Sequence, residues 1–189
     1  MTKDLKASIV AVVVFTLLCG LAYPLLVTGV GQVVFPGNAD GSLITRDGKV
    51  VGSQLIGQDF KRQPRYFQSR PSATKYSADA TAFNNLGPNQ KDLADQLRAN
   101  AGDYLKQNPG TRRQDIPPDA VTTSASGIDP HISKDNARIQ ARRVAQARGM
   151  DRGRVVRLID QNSDGRFLFL GEPGVNVLEL NLALDRAQK

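Results

Sequence analysis

Apolar residues are concentrated at the start of the chain, and polar residues are mixed with them afterwards. No charged residue occurs between positions 7 and 35. As an α-helix this stretch is longer than about 40 Å, whereas the hydrocarbon core of a bilayer is about 30 Å thick. The pattern therefore predicts a transmembrane helix with its centre at positions 9–30, in which Pro24 removes one backbone hydrogen bond and favours a kink.

Two kinds of N-terminal segment fit this stretch, an uncleaved anchor and a cleaved signal peptide. The apolar region of a signal peptide is about 7–15 residues long, which is too short and favours the anchor. Two lysines precede the stretch, and the first basic residue after it is Arg46. The positive-inside rule then predicts a cytoplasmic segment 1–6, a transmembrane helix 7–35 and an extracytoplasmic domain 36–189.

Two amphipathic helices are predicted in the domain. Residues 91–106 form the first, which ends before Pro109. Residues 134–148 form the second, with Ser133 as its N-cap and Gly149 at its end. The apolar positions at helical spacing are Leu93, Leu97, Ala101, Tyr104, Leu105 in the first helix and Ala137, Ala141, Val144, Ala145 in the second.

Short strands are predicted on either side of these helices. Residues 46–49 read as a hairpin turn, and residues 72–90 as a long ordered loop. Strands are also expected at 154–160 and 166–170, around a turn at 162–165. Alternate leucines on one face favour a strand at 175–184, and a helix is the alternative for its leucine-rich end. This mixture predicts an α+β domain behind a single transmembrane helix.

The net charge of +7 belongs almost entirely to the domain. It suits a basic surface, anionic lipid head groups or an acidic partner. Arg138, Arg142 and Arg143 lie off the apolar stripe of the second helix, so they are expected to be solvated or to face such a partner. Nucleic-acid binding is disfavoured, because no basic run alternates with stacking aromatic residues.

The sequence offers little for catalysis. The single cysteine, Cys19, lies in the apolar stretch, so an internal disulfide and a cysteine-based zinc site are excluded. Residues 160–165 match the first half of a calcium-binding loop, but position 171 is glycine where the loop needs glutamate, which favours a plain turn. Hydroxyls at 122–133 suit either an anion site or a loop that satisfies its own backbone, and the second is favoured.

Six ordered motifs resemble the C chain of the Kdp-type potassium-transporting ATPase of bacteria and archaea. The resemblance covers essentially the whole chain and follows an N-terminal span, as in that family. Residues 80–84 and 89–91 depart from the usual family pattern, so the resemblance does not define that loop. The motifs lie at 52–58, 66–73, 85–88, 122–133, 143–145 and 171–181.

The resemblance implies an accessory subunit that is not an enzyme by itself. Its implied partners are a potassium-channel-like chain, a P-type ATPase catalytic chain and membrane lipid, in a bacterial inner membrane. Potassium and ATP–Mg are handled by the partner chains, and no cofactor or metal is assigned to this chain. The role implied is assembly or stability of the complex, with an effect on ATP affinity or potassium entry as a further option.

The resemblance also gives candidate site residues. An implied nucleotide contact falls on Ser124, Ser126 and Gly127, although an extracytoplasmic domain cannot reach cytoplasmic ATP. The alternative to a pump subunit is a membrane-tethered exported binding protein. Structural or partner-contact positions are Gly52, Gln54, Gly57, Arg70, Pro71, Ser72, Asn85, Gly87, Pro88, Asp129, Pro130, His131, Ser133, Asn176 and Asn181.

Overall fold

An apolar helix begins the chain in the computed structural model, which describes residues 2–82, 85–163, 165 and 171–188. The helix runs over Thr2–Val34 and is long and apolar enough to cross a membrane. Two α-helical parts, α1 (Thr2–Phe15) and α2 (Tyr23–Val34), flank a π-helical segment, Thr16–Ala22.

The π-helical segment explains how the helix accommodates its proline. The Tyr23 N–H donates to the Leu18 carbonyl, five residues earlier. Pro24 has no N–H, and in an α-helix its ring would clash with the carbonyl four residues before it. The wider π turn relieves this clash, so the proline expected to favour a kink lies in a helix that continues past it.

A short hairpin follows the apolar helix. After α3 (Pro36–Ala39), strands β1 (Leu43–Arg46) and β2 (Lys49–Ser53) pair antiparallel. Asp47 and Gly48 have φ of 51° and 74°, as a two-residue hairpin turn requires, which confirms the predicted turn. The chain divides here into two compact units, Met1–Ser53 and Gln54–Lys189.

The second unit contains four helices and a two-stranded sheet among its described residues. Strands β3 and β4 pair antiparallel, with Ile132 opposite Val175. Short 3₁₀ turns occupy Arg113–Asp115 and Pro118–Ala120. The elements in order are α4 (Lys91–Gln107), β3 (His131–Ser133), α5 (Lys134–Arg148), α6 (Arg152–Gln161), β4 (Gly174–Asn176) and α7 (Val177–Ala187).

The core lies between α5, α6, α7 and the small sheet. The predicted stripe of α5 is buried throughout, and Ser133 caps that helix by accepting a hydrogen bond from the Asn136 N–H. Gly149 ends it in the left-handed conformation, with φ of 62°. Helix α4 also matches its prediction, but only Ala101 and Tyr104 of its apolar face are buried.

The strand predicted at 154–160 is wrong. These residues belong to α6, because Val155 and Ile159 are one helical turn apart and both are fully buried. Asp151 starts the helix by accepting a hydrogen bond from the Arg154 N–H. The segment before the hairpin turn expected at 162–165 is therefore a helix that ends at Gln161. Residue 164 of that turn and the strand expected at 166–170 lie outside the described residues.

The strand predicted at 175–184 is correct only at its start. Strand β4 ends at Asn176, whose side chain accepts hydrogen bonds from the N–H groups of Leu178 and Glu179 and so caps α7. Leu180 and Leu184 then face the core as an i, i+4 pair. The predicted long loop is confirmed for 72–82 and 85–90, which contain neither helix nor strand.

Candidate functional site

Arg70 is the centre of a polar cluster that connects two loops. Its Nη1 donates to Asp129 Oδ2 at 3.2 Å. Its Nη2 donates to Thr122 Oγ1 at 3.3 Å and to the Thr123 carbonyl at 3.2 Å. Arg70 thus forms an intramolecular ion pair with one N–O contact, and its guanidinium ties the loop after Phe67 to the segment 118–133.

Asp129 is held in its charged form by this arrangement. It also accepts a hydrogen bond from the His131 N–H at 2.9 Å, and its Oδ1 is 3.6 Å from His131 Nδ1. Burial opposes ionisation of Asp129, but the hydrogen bonds from His131 and the charge of Arg70 outweigh it, so the pKa of Asp129 is below its ordinary value.

Two glycines allow the loops to approach each other. The Gly57 N–H donates to the Ile128 carbonyl at 2.7 Å, and a Cβ at Gly57 would be 2.7 Å from the Asp129 carbonyl oxygen. Gly127 has φ of 75°, and a Cβ there would be 2.9 Å from Thr74 Oγ1. Neither position has room for a side chain.

The hydroxyls beside Gly127 bind backbone atoms. Ser72 Oγ and Thr74 Oγ1 both donate to the Gly127 carbonyl, and Ser72 Oγ accepts from the Tyr76 N–H at 2.9 Å. Ser126 Oγ accepts from the Ile128 N–H at 3.2 Å. The contact of Ser126 fits the interpretation of 122–133 as a loop that satisfies its own backbone, whereas the Gly127 carbonyl is bound by hydroxyls from another loop.

A polar cavity of about 400 Å³ lies between α4, α5 and the loop 59–76. At its wall, Tyr104 Oη donates to Asn136 Oδ1 at 2.9 Å, and Gln140 Nε2 donates to the same oxygen at 2.9 Å. Burial raises the pKa of Tyr104 far above its ordinary value, with a smaller contribution from Asp119. Tyr76 also lines the cavity, and burial raises its pKa to about 12, so both phenols stay protonated.

Side-chain amides from α5, α7 and the end of β4 bind the loop 54–68 at its backbone. Asn181 Oδ1 accepts from the Phe67 N–H at 2.8 Å, and Asn181 Nδ2 donates to the Phe67 carbonyl at 3.0 Å. Gln140 makes the same pair of contacts with Gln68, at 2.8 and 3.1 Å. Asn176 Nδ2 donates to the Gln54 carbonyl at 2.8 Å. These amides form hydrogen bonds with the backbone of this loop, as a neighbouring strand would in a sheet.

The structure gathers most of the predicted site residues around this cluster. Pro71 lines the polar cavity, and the Pro130 carbonyl accepts from the Val177 N–H at 3.0 Å. Ser124 is buried, with 3 % of its surface exposed. Gly52 is outside the cluster, because it lies in β2 of the first unit. The remaining predicted positions, Asn85, Gly87 and Pro88, belong to the turn before α4, where the Gly87 N–H donates to Gln90 Oε1.

Comparison with known proteins identifies the family. The family model described as K+-transporting ATPase, c chain (KdpC) matches residues 5–186. A potassium-transporting ATPase KdpC subunit of Methylibium petroleiphilum is 52% identical over 185 residues, which cover 96% of each chain. The chain belongs to the KdpC family.

Two further KdpC subunits show how complete the similarity is. The subunit of Sorangium cellulosum is 48% identical over 192 residues and covers 100% of both chains. The subunit of Caldanaerobacter subterraneus subsp. tengcongensis is 46% identical over 185 residues, which cover 97% of this chain and 95% of the relative. The family resemblance derived from the six motifs is confirmed.

Two residues help to build this KdpC fold through tertiary contacts that the sequence does not reveal. Asp119 accepts hydrogen bonds from the Ser133 N–H, from Ser133 Oγ and from Asn136 Nδ2, all within 2.9 Å. Arg143 donates to the Pro64 carbonyl at 2.7 Å and the Tyr66 carbonyl at 2.9 Å. Burial lowers the pKa of Arg143 to about 10, so the guanidinium stays charged at neutral pH. Sequence reasoning had expected Arg143 to be solvated or to face a partner.

Proposed function

We propose that the chain is a non-catalytic accessory subunit of a potassium-transporting ATPase in the bacterial inner membrane. The observation that carries this proposal is the KdpC family match over residues 5–186. Its partners are a potassium-channel-like chain and a P-type catalytic chain, which handle potassium and ATP–Mg. The subunit binds no cofactor itself and supports the assembly or stability of the complex.

The use of polar groups in the cluster supports a structural role. The guanidinium of Arg70 and the hydroxyls of Ser72 and Thr74 bind other parts of the same chain. A catalytic group needs to present its reacting atom to a substrate. Side chains that fix two loops against each other instead give a domain of defined shape, which is what a docking subunit needs.

The apolar helix supports a membrane anchor with the folded domain outside the cytoplasm. None of the residues in α1 or α2 is buried, so the whole helix is free to contact lipid or other helices. Lys3 and Lys6 precede the apolar stretch, and the first charged residues after it are Asp40 and Arg46. The positive-inside rule then places the N-terminus in the cytoplasm.

Direct nucleotide contact at Ser124, Ser126 and Gly127 is the less favoured alternative. A nucleotide phosphate there would compete with contacts already present, because the Gly127 carbonyl accepts hydrogen bonds and Ser124 is buried. The orientation proposed above would also keep this segment away from cytoplasmic ATP. An inward-facing domain would revive this alternative.

Thiol labelling of the intact membrane tests the orientation. Ala125 is exposed, unlike its neighbour Ser124, so Ala125→Cys in a Cys19→Ser background gives an accessible probe. We expect a membrane-impermeant maleimide to label it in intact cells with a permeabilised outer layer. Thr2→Cys in the same background serves as the matched cytoplasmic probe and keeps both lysines. Labelling of Thr2→Cys but not of Ala125→Cys before lysis would overturn the orientation.

Deletion of the chain tests the accessory role. Without it, we expect the potassium-channel-like chain and the P-type catalytic chain to be recovered together in lower yield and to hydrolyse less ATP in response to potassium. Hydrolysis should return when the chain is supplied again. Equal yield and equal hydrolysis with and without the chain would contradict the proposal.

A further inference from the structure

A groove of about 600 Å³ lies beside the end of α4, separate from the Arg70 cluster. The loop 108–111 forms one side of it, and residues of α5 and the start of α6 form the other. Four cationic side chains line it: Lys106, Arg142, Arg143 and Arg152. The groove therefore concentrates four cationic side chains at one place on the domain.

Most of the positive charge of the groove has no carboxylate partner among the described residues; Lys106 alone lies near one, with its Nζ 3.7 Å from Asp103 Oδ1. Among the described residues, no carboxylate pairs with Arg142 or Arg152, and Arg143 is bound by neutral groups. One carboxylate, Asp115, lines the groove. It already accepts from Arg112 at 2.7 and 2.9 Å, so its charge is largely neutralised by that partner.

The backbone of the groove lies close to the guanidinium of Arg142. Gly110 has φ of 88°, and a Cβ there would be 2.8 Å from Arg142 Nη1. The absence of a side chain at 110 lets the Arg142 guanidinium lie against the loop while the residue remains exposed. A guanidinium placed in this way presents a planar pair of donors that suits a carboxylate.

We propose that this basic groove docks an acidic, carboxylate-bearing segment of a partner chain in the ATPase complex. The proposal rests on the function proposed above, since it requires that partner chains be present. It identifies the chemistry of one contact that holds the subunit in the complex.

The shape of the site favours a protein segment over other anions. Side chains that protrude from a protein can bind a planar bilayer surface, whereas side chains inside a concave groove are reached more easily by a segment of polypeptide. The amides of Gln107, which is partly exposed, and of Gln146, which is exposed, line the groove together with the cations. Amides bind peptide N–H and C=O groups, and arginines bind carboxylates, so the lining suits a peptide that carries acidic side chains.

Charge reversal within the purified complex gives the first test. We expect Arg142→Glu combined with Arg152→Glu to lower recovery of the partner chains with the tagged subunit by about tenfold, because like charges then face the acidic segment. The matched control is Arg113→Glu with Arg157→Glu, which reverses two exposed arginines outside the groove. Both double variants change the net charge equally.

Zero-length cross-linking gives the second test. Lys106 is a native amine in the groove and its side chain is 82% exposed, so a carbodiimide can join it to a neighbouring carboxylate. We expect mass spectrometry of the intact complex to find Lys106 joined to an Asp or Glu of a partner chain. Lys91, at the opposite end of α4 and 84% exposed, is the matched lysine and should give only its internal product with Asp95.

The outcomes separate this inference from the function on which it depends. If the unaltered subunit recovers its partners but the groove and control variants behave alike, the groove proposal is wrong and the accessory role stands. Cross-linking of Lys106 only to Asp103, 3.7 Å away within α4, would also overturn it. So would groove-dependent binding of the full-length subunit to inorganic phosphate or to anionic vesicles, without any partner cross-link. If the unaltered subunit recovers no partner, the proposed function itself fails.

Discussion

Arg70 and Asp129 are separated by 59 positions in the sequence, and their side chains meet in an ion pair of 3.2 Å. Each is partly buried, with 24% and 31% of the side chain exposed. A pair in this setting is screened less by solvent than a surface pair. Arg70 also donates to the Thr123 carbonyl in the segment that carries Asp129, and Asp129 accepts from the His131 N–H. It therefore acts as a tie between loops.

Removal of Asp129 should loosen that tie. We expect Asp129→Ala to lower the free energy of unfolding by about 1–3 kcal/mol, because the Arg70 guanidinium and the His131 N–H each lose an acceptor. Chemical denaturation of the detergent-solubilised chain measures this. Asp95→Ala, which removes exposed pairs on α4, is the control and should change stability by less than about 1 kcal/mol. Equal losses for the two variants would contradict the prediction.

The stabilisation from Asp129 should depend on pH. Its pKa is lowered in the folded chain, so its contribution is complete above the unfolded value of about 3.9 and is lost as pH falls through the folded value. We therefore expect the stability difference between the unaltered chain and Asp129→Asn to be constant near neutral pH and to shrink below about pH 4. Denaturation curves collected between neutral and acidic pH measure it; a difference that stays constant at acidic pH would count against the assignment.

The substitution of alanine for glycine should have opposite effects on the free energy of unfolding at two positions. Gly57→Ala places a Cβ 2.7 Å from the Asp129 carbonyl oxygen, and we expect a loss of about 1–3 kcal/mol because backbone must move. Gly102→Ala lies within α4 with no atom near its Cβ, and we expect a gain of about 0.5–1 kcal/mol. Thermal unfolding of both variants measures the contrast, and a shift of the same sign for both would refute it.

The amide of Asn181 should not tolerate replacement by a carboxylate of the same shape. Asn181→Asp keeps the acceptor for the Phe67 N–H but directs a second acceptor at the Phe67 carbonyl. We expect a loss of about 1–3 kcal/mol in the free energy of unfolding. Asn89→Asp makes the same change at an exposed position and should alter stability by less than about 0.5 kcal/mol. If both changes have the same small effect, the Asn181 contacts contribute little.

Sequence reasoning recovered the elements that carry local signals. Helix α5 was predicted with its cap and its end, because Ser133 and Gly149 act through backbone geometry within a few residues. The pattern of α6 predicts a strand, and that of α7 favours a strand with a helical end as the alternative, because short runs rich in Val and Leu fit both periods. The caps Asp151 and Asn176 decide for helices in the structure.

The sequence predicts many residues of the site but not the hydrogen bonds and ion pairs that they form. Family motifs pointed to Arg70, Asp129 and Asn181, yet none of their partners can be read from spacing along the chain. Asp119 and Gln140 were missed for the same reason: each matters through tertiary contacts that only the folded chain creates. The charge of Arg142 was visible, whereas its position against Gly110 was not.

The amide contacts to the loop at Phe67 and Gln68 have a consequence for synthesis. The partner of Gln68 is made 72 residues later, and the partner of Phe67 is made 114 residues later. A ribosome adds about 5–20 residues each second. The loop is therefore synthesised several seconds before Gln140 and Asn181, whose amides bind its backbone. We expect the early half of the domain to be sensitive to protease on the nascent chain, and to become protected only once α7 has emerged.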